Sequence, residues 1–322
     1  MNRLVIGSRG SKLALWQSEH VADRLRRVLG PAVDVAIEIL STRGDRIQDR
    51  ALPAVGGKGL FTAELEAGLR DGSIDLAVHS LKDLPTRNPE GIVLGAVPKR
   101  ADARDALVLR GDHRAAWVDR LTSLPEAAPD AFGGVPRGGV LGTSSVRRAA
   151  QARRLRPDLE IRDVRGNVDT RLRKLDEGGY DALLLACAGL DRLGWGERVA
   201  SRLSSPWLGA AGQGALGIQA RAGDYDTLVA LQSLEHKPTR LEVESERAVL
   251  AALEGGCSVP LAAQATLDGA RISLEARVLS LDGSEEAKSR RRGEATREGA
   301  QRLGRQVARE LVDRGAARIL GR

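Results

Sequence analysis

The chain has 322 residues, of which 42% are hydrophobic and only 2% aromatic, enough for two or three cores built from Leu, Val, Ile and Ala. Its formal net charge is +7, and all but seven of its 50 Lys and Arg are arginine, a surplus that fits base-composition bias, a nucleic-acid surface or a site for polyanionic small molecules. Two distant cysteines, Cys187 and Cys257, argue against a disulfide scaffold and a cysteine zinc site, and no apolar run approaches the ~20 residues of a membrane helix.

Residues 3–7 read as a short strand, not a signal peptide. Ser8-Arg9-Gly10-Ser11 follows, with Ser11 as N-cap of a helix over 12–28. This strand, small-residue turn and helix put backbone N–H groups and a positive dipole end at an anion. A second strand spans 33–40. Residues 41–59 are polar and glycine-rich, and Gly56-Gly57-Lys58-Gly59 suggests a mobile lid. A helix over 62–70 leads to a strand over 74–79 and then to Ser80-Leu81-Lys82-Asp83-Leu84-Pro85. Polar residues at a strand's C-terminal end are where open α/β sheets place ligands. Strands over 92–97 and 106–109 complete this part.

Residues 111–139 are rich in Pro, Gly and Ala and read as a surface insertion. A second α/β unit starts at Gly139. Thr143-Ser144-Ser145-Val146-Arg147-Arg148 opens its first helix, and a strand over 159–164 ends in Arg165-Gly166-Asn167. Asn167 is placed to cap the helix that carries Arg171. The strand over 180–187 makes Cys187 a core residue and is followed by Ala188-Gly189-Leu190-Asp191-Arg192. The strand over 215–221 fits best back in the first unit. A third unit begins at Thr239, with a helix to Leu253, strands over 261–267 and 271–280 joined at Asp268-Gly269, a third strand and a helix over 296–314.

Cys257 lies in Gly255-Gly256-Cys257-Ser258-Val259-Pro260, a loop after that helix, and a loop thiol is accessible as a nucleophile or attachment point. Arg9 with Ser11, and the arginines after three strand ends of the second unit, can line one cleft. Arginine suits this because its planar fork grips carboxylates bidentately. Many such forks imply a ligand with many acidic groups. Asp83 can stabilise a cationic intermediate or accept an N–H proton. His79 has no metal-ligand spacing around it. On the residues alone, a non-catalytic anion-binding protein and a nucleic-acid binder stay open beside an enzyme.

Several segments together resemble one family. They are Ser8-Arg9-Gly10-Ser11-Lys12-Leu13-Ala14-Leu15-Trp16-Gln17, Val55-Gly56-Gly57-Lys58-Gly59-Leu60-Phe61, His79-Ser80-Leu81-Lys82-Asp83-Leu84-Pro85, Gly142-Thr143-Ser144-Ser145-Val146-Arg147-Arg148, Arg165-Gly166-Asn167-Val168-Asp169-Thr170-Arg171, Gly212-Gln213-Gly214 and Glu254-Gly255-Gly256-Cys257. In this order they resemble the hydroxymethylbilane synthases, also called porphobilinogen deaminases. The resemblance implies an α/β fold: two similar lobes like those of periplasmic binding proteins flank a cleft, and a small α+β domain follows. The implied domains are 1–100 with 213–235, then 101–212, then 236–322, the last carrying the cysteine.

The implied activity is that of a transferase. It joins four porphobilinogen molecules head to tail with loss of ammonia, then releases linear hydroxymethylbilane by hydrolysis. The implied cofactor is a dipyrromethane held by a thioether to Cys257, with Lys82, Asp83, Ser145, Arg147, Arg148 and Arg171 around it. Arg9, Ser11, Gln17, Lys58, Phe61, Arg165 and Arg192 are the implied substrate contacts, and Asp83 the catalytic carboxylate. No metal is expected. The expected partners are porphobilinogen and polypyrrole intermediates, with no nucleic acid and no membrane, for a cytoplasmic monomer. The chain departs from the family pattern at Leu208-Gly209-Ala210-Ala211 and at Gln219, both placed at the return from the second lobe to the first.

Overall fold

The computed structural model describes residues 2–42, 62–115, 132–253 and 259–321. The first lobe holds β1 (Arg3–Ser8), α1 (Lys12–Leu29), β2 (Asp34–Ile39), α2 (Ala63–Asp71), β3 (Leu76–Ser80) and β4 (Ile92–Ala96). The second holds β5 (Asp105–Leu109), β6 (Val140–Gly142), α3 (Val146–Leu155), β7 (Glu160–Arg162), α4 (Val168–Asp176), β8 (Ala182–Ala186), α5 (Cys187–Arg192) and β9 (Ser201–Leu203). The chain then returns as β10 (Leu216–Arg221), which inserts between β3 and β4, and continues as α6 (Tyr225–Gln232).

The two sheets share one plan. Their orders are β2-β1-β3-β10-β4 and β7-β6-β8-β5-β9. In each, three strands run parallel and the fourth is antiparallel to both its neighbours. Both faces of the first sheet are covered, one by Val21 and Leu25 of α1 over Leu4, Ile6, Val78 and Ile218, the other by Leu65 and Leu69 of α2 over Ala77 and Ile92. Burial on two faces explains why these strands read as apolar runs without strict alternation. Ser11 caps α1 by accepting from the backbone N–H of Ala14 at 3.3 Å.

The third unit packs α7 (Lys237–Ala252) and α8 (Arg297–Asp313) on one face of the antiparallel sheet β11 (Leu261–Asp268), β12 (Arg271–Leu279) and β13 (Glu286–Glu294); a short α9 (Ala316–Ile319) ends it. The two long helices cross closely at Gly304, where a Cβ would come within 2.5 Å of the Ser245 carbonyl oxygen. The β12–β13 hairpin docks on the second lobe, where Arg153 Nη1 donates to the Leu281 carbonyl at 2.6 Å and Arg154 Nη1 to that of Gly283 at 3.2 Å.

Several expectations are corrected. The described end of the 111–139 segment is not mere surface: Phe132 and Val135 are buried, and Phe132 packs on Trp207 with ring centroids 5.7 Å apart. Asn167 occupies the N-cap of α4 without a side-chain bond to it. Gln219 is not at the crossing between lobes; it is buried within β10, and its Nε2 donates to Asn88 Oδ1 at 3.3 Å. Residues 43–61 and 254–258, and with them Lys58, Phe61, Cys257 and nearly all of the expected lid, lie outside the described residues.

The two crossings between lobes meet the third unit at one buried ion pair. Arg100, on the outbound crossing, donates from Nη1 and Nη2 to the Glu246 carboxylate of α7 at 2.7 and 3.0 Å, and from Nε to the Gln213 carbonyl at 2.7 Å. Glu246 also accepts from the backbone N–H groups of Gly212 and Ala265 at 2.7 and 2.8 Å. Arg100→Ala would strand a fully buried carboxylate, a loss of about 3–5 kcal/mol. Urea unfolding should show it as a shifted midpoint at unchanged slope, and a loss below about 1 kcal/mol would contradict the role given to this pair.

Candidate active site

The site is assembled from loops at the C-terminal ends of the parallel strands. β3 ends at Ser80, and a 3-10 turn over Leu81–Asp83 carries Lys82 and Asp83 into the cleft. The turn is anchored by the Leu81 N–H, which donates to the Ala215 carbonyl at 3.0 Å. Asp83 is exposed, while Lys82 keeps only part of its surface. Lys82 Nζ lies 3.5 Å from Gln213 Oε1. Burial by protein from both lobes drives its pKa down to about 8; Asp83 opposes that shift, and Arg148 and Arg147 reinforce it.

From the second lobe, Ser145 caps α3 and accepts from the Arg148 N–H at 3.4 Å. This places Arg147 and Arg148 in the first turn, where the sequence reading had them as open carboxylate clamps. The structure corrects that in one respect. Both are buried, and both share Asp105: Arg147 Nη1 reaches Oδ2 at 2.7 Å, and Arg148 Nε and Nη2 reach Oδ1 at 2.9 and 2.7 Å. Burial would raise the Asp105 carboxyl, but the two guanidiniums outweigh it and hold it well below the usual carboxylate range. Asp105 was not singled out from sequence. The signal for it was an acid opening an apolar run, Asp105-Ala106-Leu107-Val108-Leu109, since such an acid must find cationic partners inside.

Arg171 on α4 donates from Nε to the Gly166 carbonyl at 2.8 Å. Burial lowers its pKa to about 10, with Arg148 and Arg165 adding to the effect and Asp163 and Asp83 opposing it. Arg165 pairs with Asp163 at 3.3 Å. Lys82, Asp83, Arg148, Arg165 and Arg171 are therefore electrostatic neighbours drawn from both lobes.

A second group sits along α1. Gln17 is buried and donates to Ser80 Oγ at 2.9 Å. Burial lowers the pKa of His79 to about 4, with Gln219 opposing the shift and Arg9 adding to it. Arg192 reaches across the cleft: its Nη2 donates to the Gly214 carbonyl at 2.7 Å, and its guanidinium lies 5.8 Å from the centroid of the Trp16 ring. Burial brings Arg192 to about 10. Lys12 and Asp169 add an exposed cross-cleft pair at 3.4 Å. Cys187 is buried, and burial raises its thiol to about 12, so it is an inert core residue.

Among the described residues the cleft holds more cations than carboxylates, and Asp83 is an exposed acid among them. Lys82 and Arg171 are lowered first by burial and further by neighbouring arginines, so a polycarboxylate bound beside them would favour their charged forms. Among the described residues no group of three His, Cys, Asp or Glu could hold a metal, and no helix is long and apolar enough to cross a membrane.

Comparison with known proteins gives two family matches. The model described as "Porphobilinogen deaminase, dipyromethane cofactor binding domain" matches residues 4–229, and "Porphobilinogen deaminase, C-terminal domain" matches 240–313. The chain is 49% identical over 320 residues to the porphobilinogen deaminase of Desulforudis audaxviator, covering 99% of this chain and 97% of that one. It is 46% identical over 321 residues to the enzyme of the same name from Xanthomonas axonopodis pv. citri, covering 99% of each. Among solved structures it is similar to an ancestral cationic amino acid solute-binding protein, with a TM-score of 0.42 at 16% identity over 72% of this chain and 88% of that one.

Proposed function

The chain belongs to the porphobilinogen deaminase family, and on that premise we propose which of its residues carry the reaction. The activity is that of a hydroxymethylbilane synthase, a transferase of tetrapyrrole synthesis that condenses porphobilinogen with loss of ammonia and uses a dipyrromethane cofactor. Residues 1–100 with 213–235 and residues 101–212 are assigned as the two lobes, and 236–322 as the domain bearing Cys257. The protein acts as a cytoplasmic monomer, with porphobilinogen and its oligomers as ligands and no nucleic-acid partner.

The observation that carries the assignment is the convergence of Lys82, Arg148 and Arg171 around Asp83. These residues fit a bound dipyrromethane, because each of its rings brings carboxylates to a cluster short of them. When bound through Cys257, the cofactor supplies the terminal pyrrole carbon at which the new bond forms. Lys82, Ser145, Arg147, Arg148 and Arg171 would hold its carboxylates. Arg9, Ser11, Gln17, Arg165 and Arg192 receive the acetate and propionate of incoming substrate, with Lys58 and Phe61 completing the cleft. Asp83 accepts the substrate's pyrrole N–H and stabilises the positive charge that develops as ammonia leaves. A fixed carboxylate does this without the reorganisation that water would need.

Intact mass of the purified protein tests the whole reading. It should exceed the chain mass by two porphobilinogen units less two ammonias, and mixing with porphobilinogen should add further pyrroles in steps. A protein at chain mass that leaves porphobilinogen unconsumed would refute it.

The Lys82 amine sets a pH dependence. In the cofactor-free protein it loses its proton as pH rises through about 8, whereas a cofactor carboxylate bound beside it favours the charged form. Loading the cofactor above that pH must take up a proton, so the porphobilinogen concentration that half-loads the cofactor-free protein should climb by up to about tenfold per pH unit. Lys82→Arg keeps its charge and should flatten this limb. A half-loading concentration that stays level from pH 7.5 to 9.5 would remove Lys82 from the binding role.

A further inference from the structure

Asp105 has no exposed surface. Besides the two arginines, its carboxylate takes Trp207 Nε1 at 2.7 Å on Oδ2 and Gln213 Nε2 at 2.9 Å on Oδ1. Asp105 opens β5, just past the outbound crossing, whereas Trp207 and Gln213 lie on the return. Leu208, next to Trp207, accepts from Arg147 Nη1 at 2.7 Å and from Gln151 Nε2 at 3.0 Å. Arg148 Nη1 donates to the Leu184 carbonyl at 2.9 Å. Arg147 Nη2 also reaches Asp105 Oδ1 at 3.4 Å, so of the five N–H groups on each guanidinium three are used among the described residues, and two remain on each. One carboxylate between two guanidiniums also leaves a net positive charge.

We propose that Asp105 is a positioning residue for the condensation. Trp207 and Gln213 fix its carboxylate, and the carboxylate fixes Arg147 and Arg148 so that their remaining N–H groups form one oriented pair for a ligand carboxylate. This rests on the reading of those arginines as clamps. Oriented donors add affinity because no side-chain order is lost when the ligand arrives. A second acid here would have neutralised the clamp, and none would have left two buried cations repelling each other. The bonds to Trp207 and Gln213 tie the clamp to the return crossing, so its orientation follows the relative placement of the lobes.

The experiment uses full-length Asp105→Glu and Asp105→Asn, with Arg148→Ala as reference for the clamp and Leu311→Ala, in the buried core of the third unit, as a destabilised control outside the site. Thermal midpoint, KM, kcat and the ladder of enzyme-bound pyrroles are measured on each. Asp105→Glu keeps the charge and displaces it by a methylene. It should fold and carry two pyrroles, yet lose about 10- to 100-fold in kcat/KM, as an ångström of misplacement does, with pyrrole chains stalling short. Leu311→Ala should lower the thermal midpoint and leave KM and the ladder unchanged. A folded Asp105→Glu protein with native KM and ladder overturns the positioning role, as does a Leu311→Ala protein impaired to the same degree. If Arg148→Ala is impaired while Asp105→Glu is not, only this proposal fails; if Arg148→Ala is also unimpaired, the clamp reading fails with it. Should neither Asp105 variant fold, Trp207→Phe decides: it removes one of the two donors on Asp105 Oδ2 and leaves all charges in place, so KM must rise, and an unchanged KM overturns the proposal.

Discussion

Cys257→Ser is expected to give a folded protein that carries no pyrrole and makes no product. The thiolate is the only side chain proposed as the attachment point, and a serine hydroxyl is a far weaker nucleophile at neutral pH. Turnover should be undetectable. The thermal midpoint should fall as well, because a group bound only to the native state stabilises it. The fold itself should survive, since each of the three sheets has its own buried core. Arg290, Arg291 and Arg292 provide the contrast. They are exposed on β13, and their alanine variants should keep both pyrroles and near-native turnover. Two pyrroles on the Cys257→Ser protein would falsify the attachment site. Losses at 290–292 equal to those of the cysteine variant would misplace the site altogether.

Asp83→Asn should fold, load its cofactor and lose at least about 100-fold in turnover, the scale of removing one preorganised charge from a transition state. The substitution preserves shape and removes only the negative charge. It has a second consequence that binding alone would not produce. Asp83 holds up the pKa of Lys82 and of Arg171, so without it the Lys82 amine should deprotonate at still lower pH. The alkaline limb of the cofactor-loading profile should then move to lower pH in the variant. Normal turnover in a cofactor-loaded Asp83→Asn protein would sink the catalytic role. A strong loss with an unmoved limb would separate Asp83 from Lys82.

Much of the fold was legible in the chain because the signals were local. Ser11, Ser145 and Thr296 announce helix starts, each by a side chain that bonds a backbone N–H within three residues. Asp268-Gly269 marks a hairpin whose glycine has φ of 54°. The strand, small-residue turn and helix that recur in both lobes are written in neighbouring residues, and so are Lys82 and Asp83 at the end of β3. Where such signals were read too widely, packing decided otherwise. Phe132 ends a segment that looks like surface, but Trp207, remote in sequence, gives it a core to join.

The set of elements, the cationic character of the cleft and the identities of the residues available for chemistry are all readable from the chain. The tertiary structure alone decided how those charges are shared. Arg147 and Arg148 read as two open clamps until Asp105, some forty residues earlier, is placed between them. Lys82 reads as an ordinary amine until both lobes bury it and shift it to about 8. Arg100 carries no motif, yet it closes the junction of both crossings with the third domain through Glu246. The reason is physical. A cap or a turn is stabilised by partners a few residues away, whereas the energy of a buried charge depends on every group that surrounds it, and folding brings those groups from distant parts of the chain.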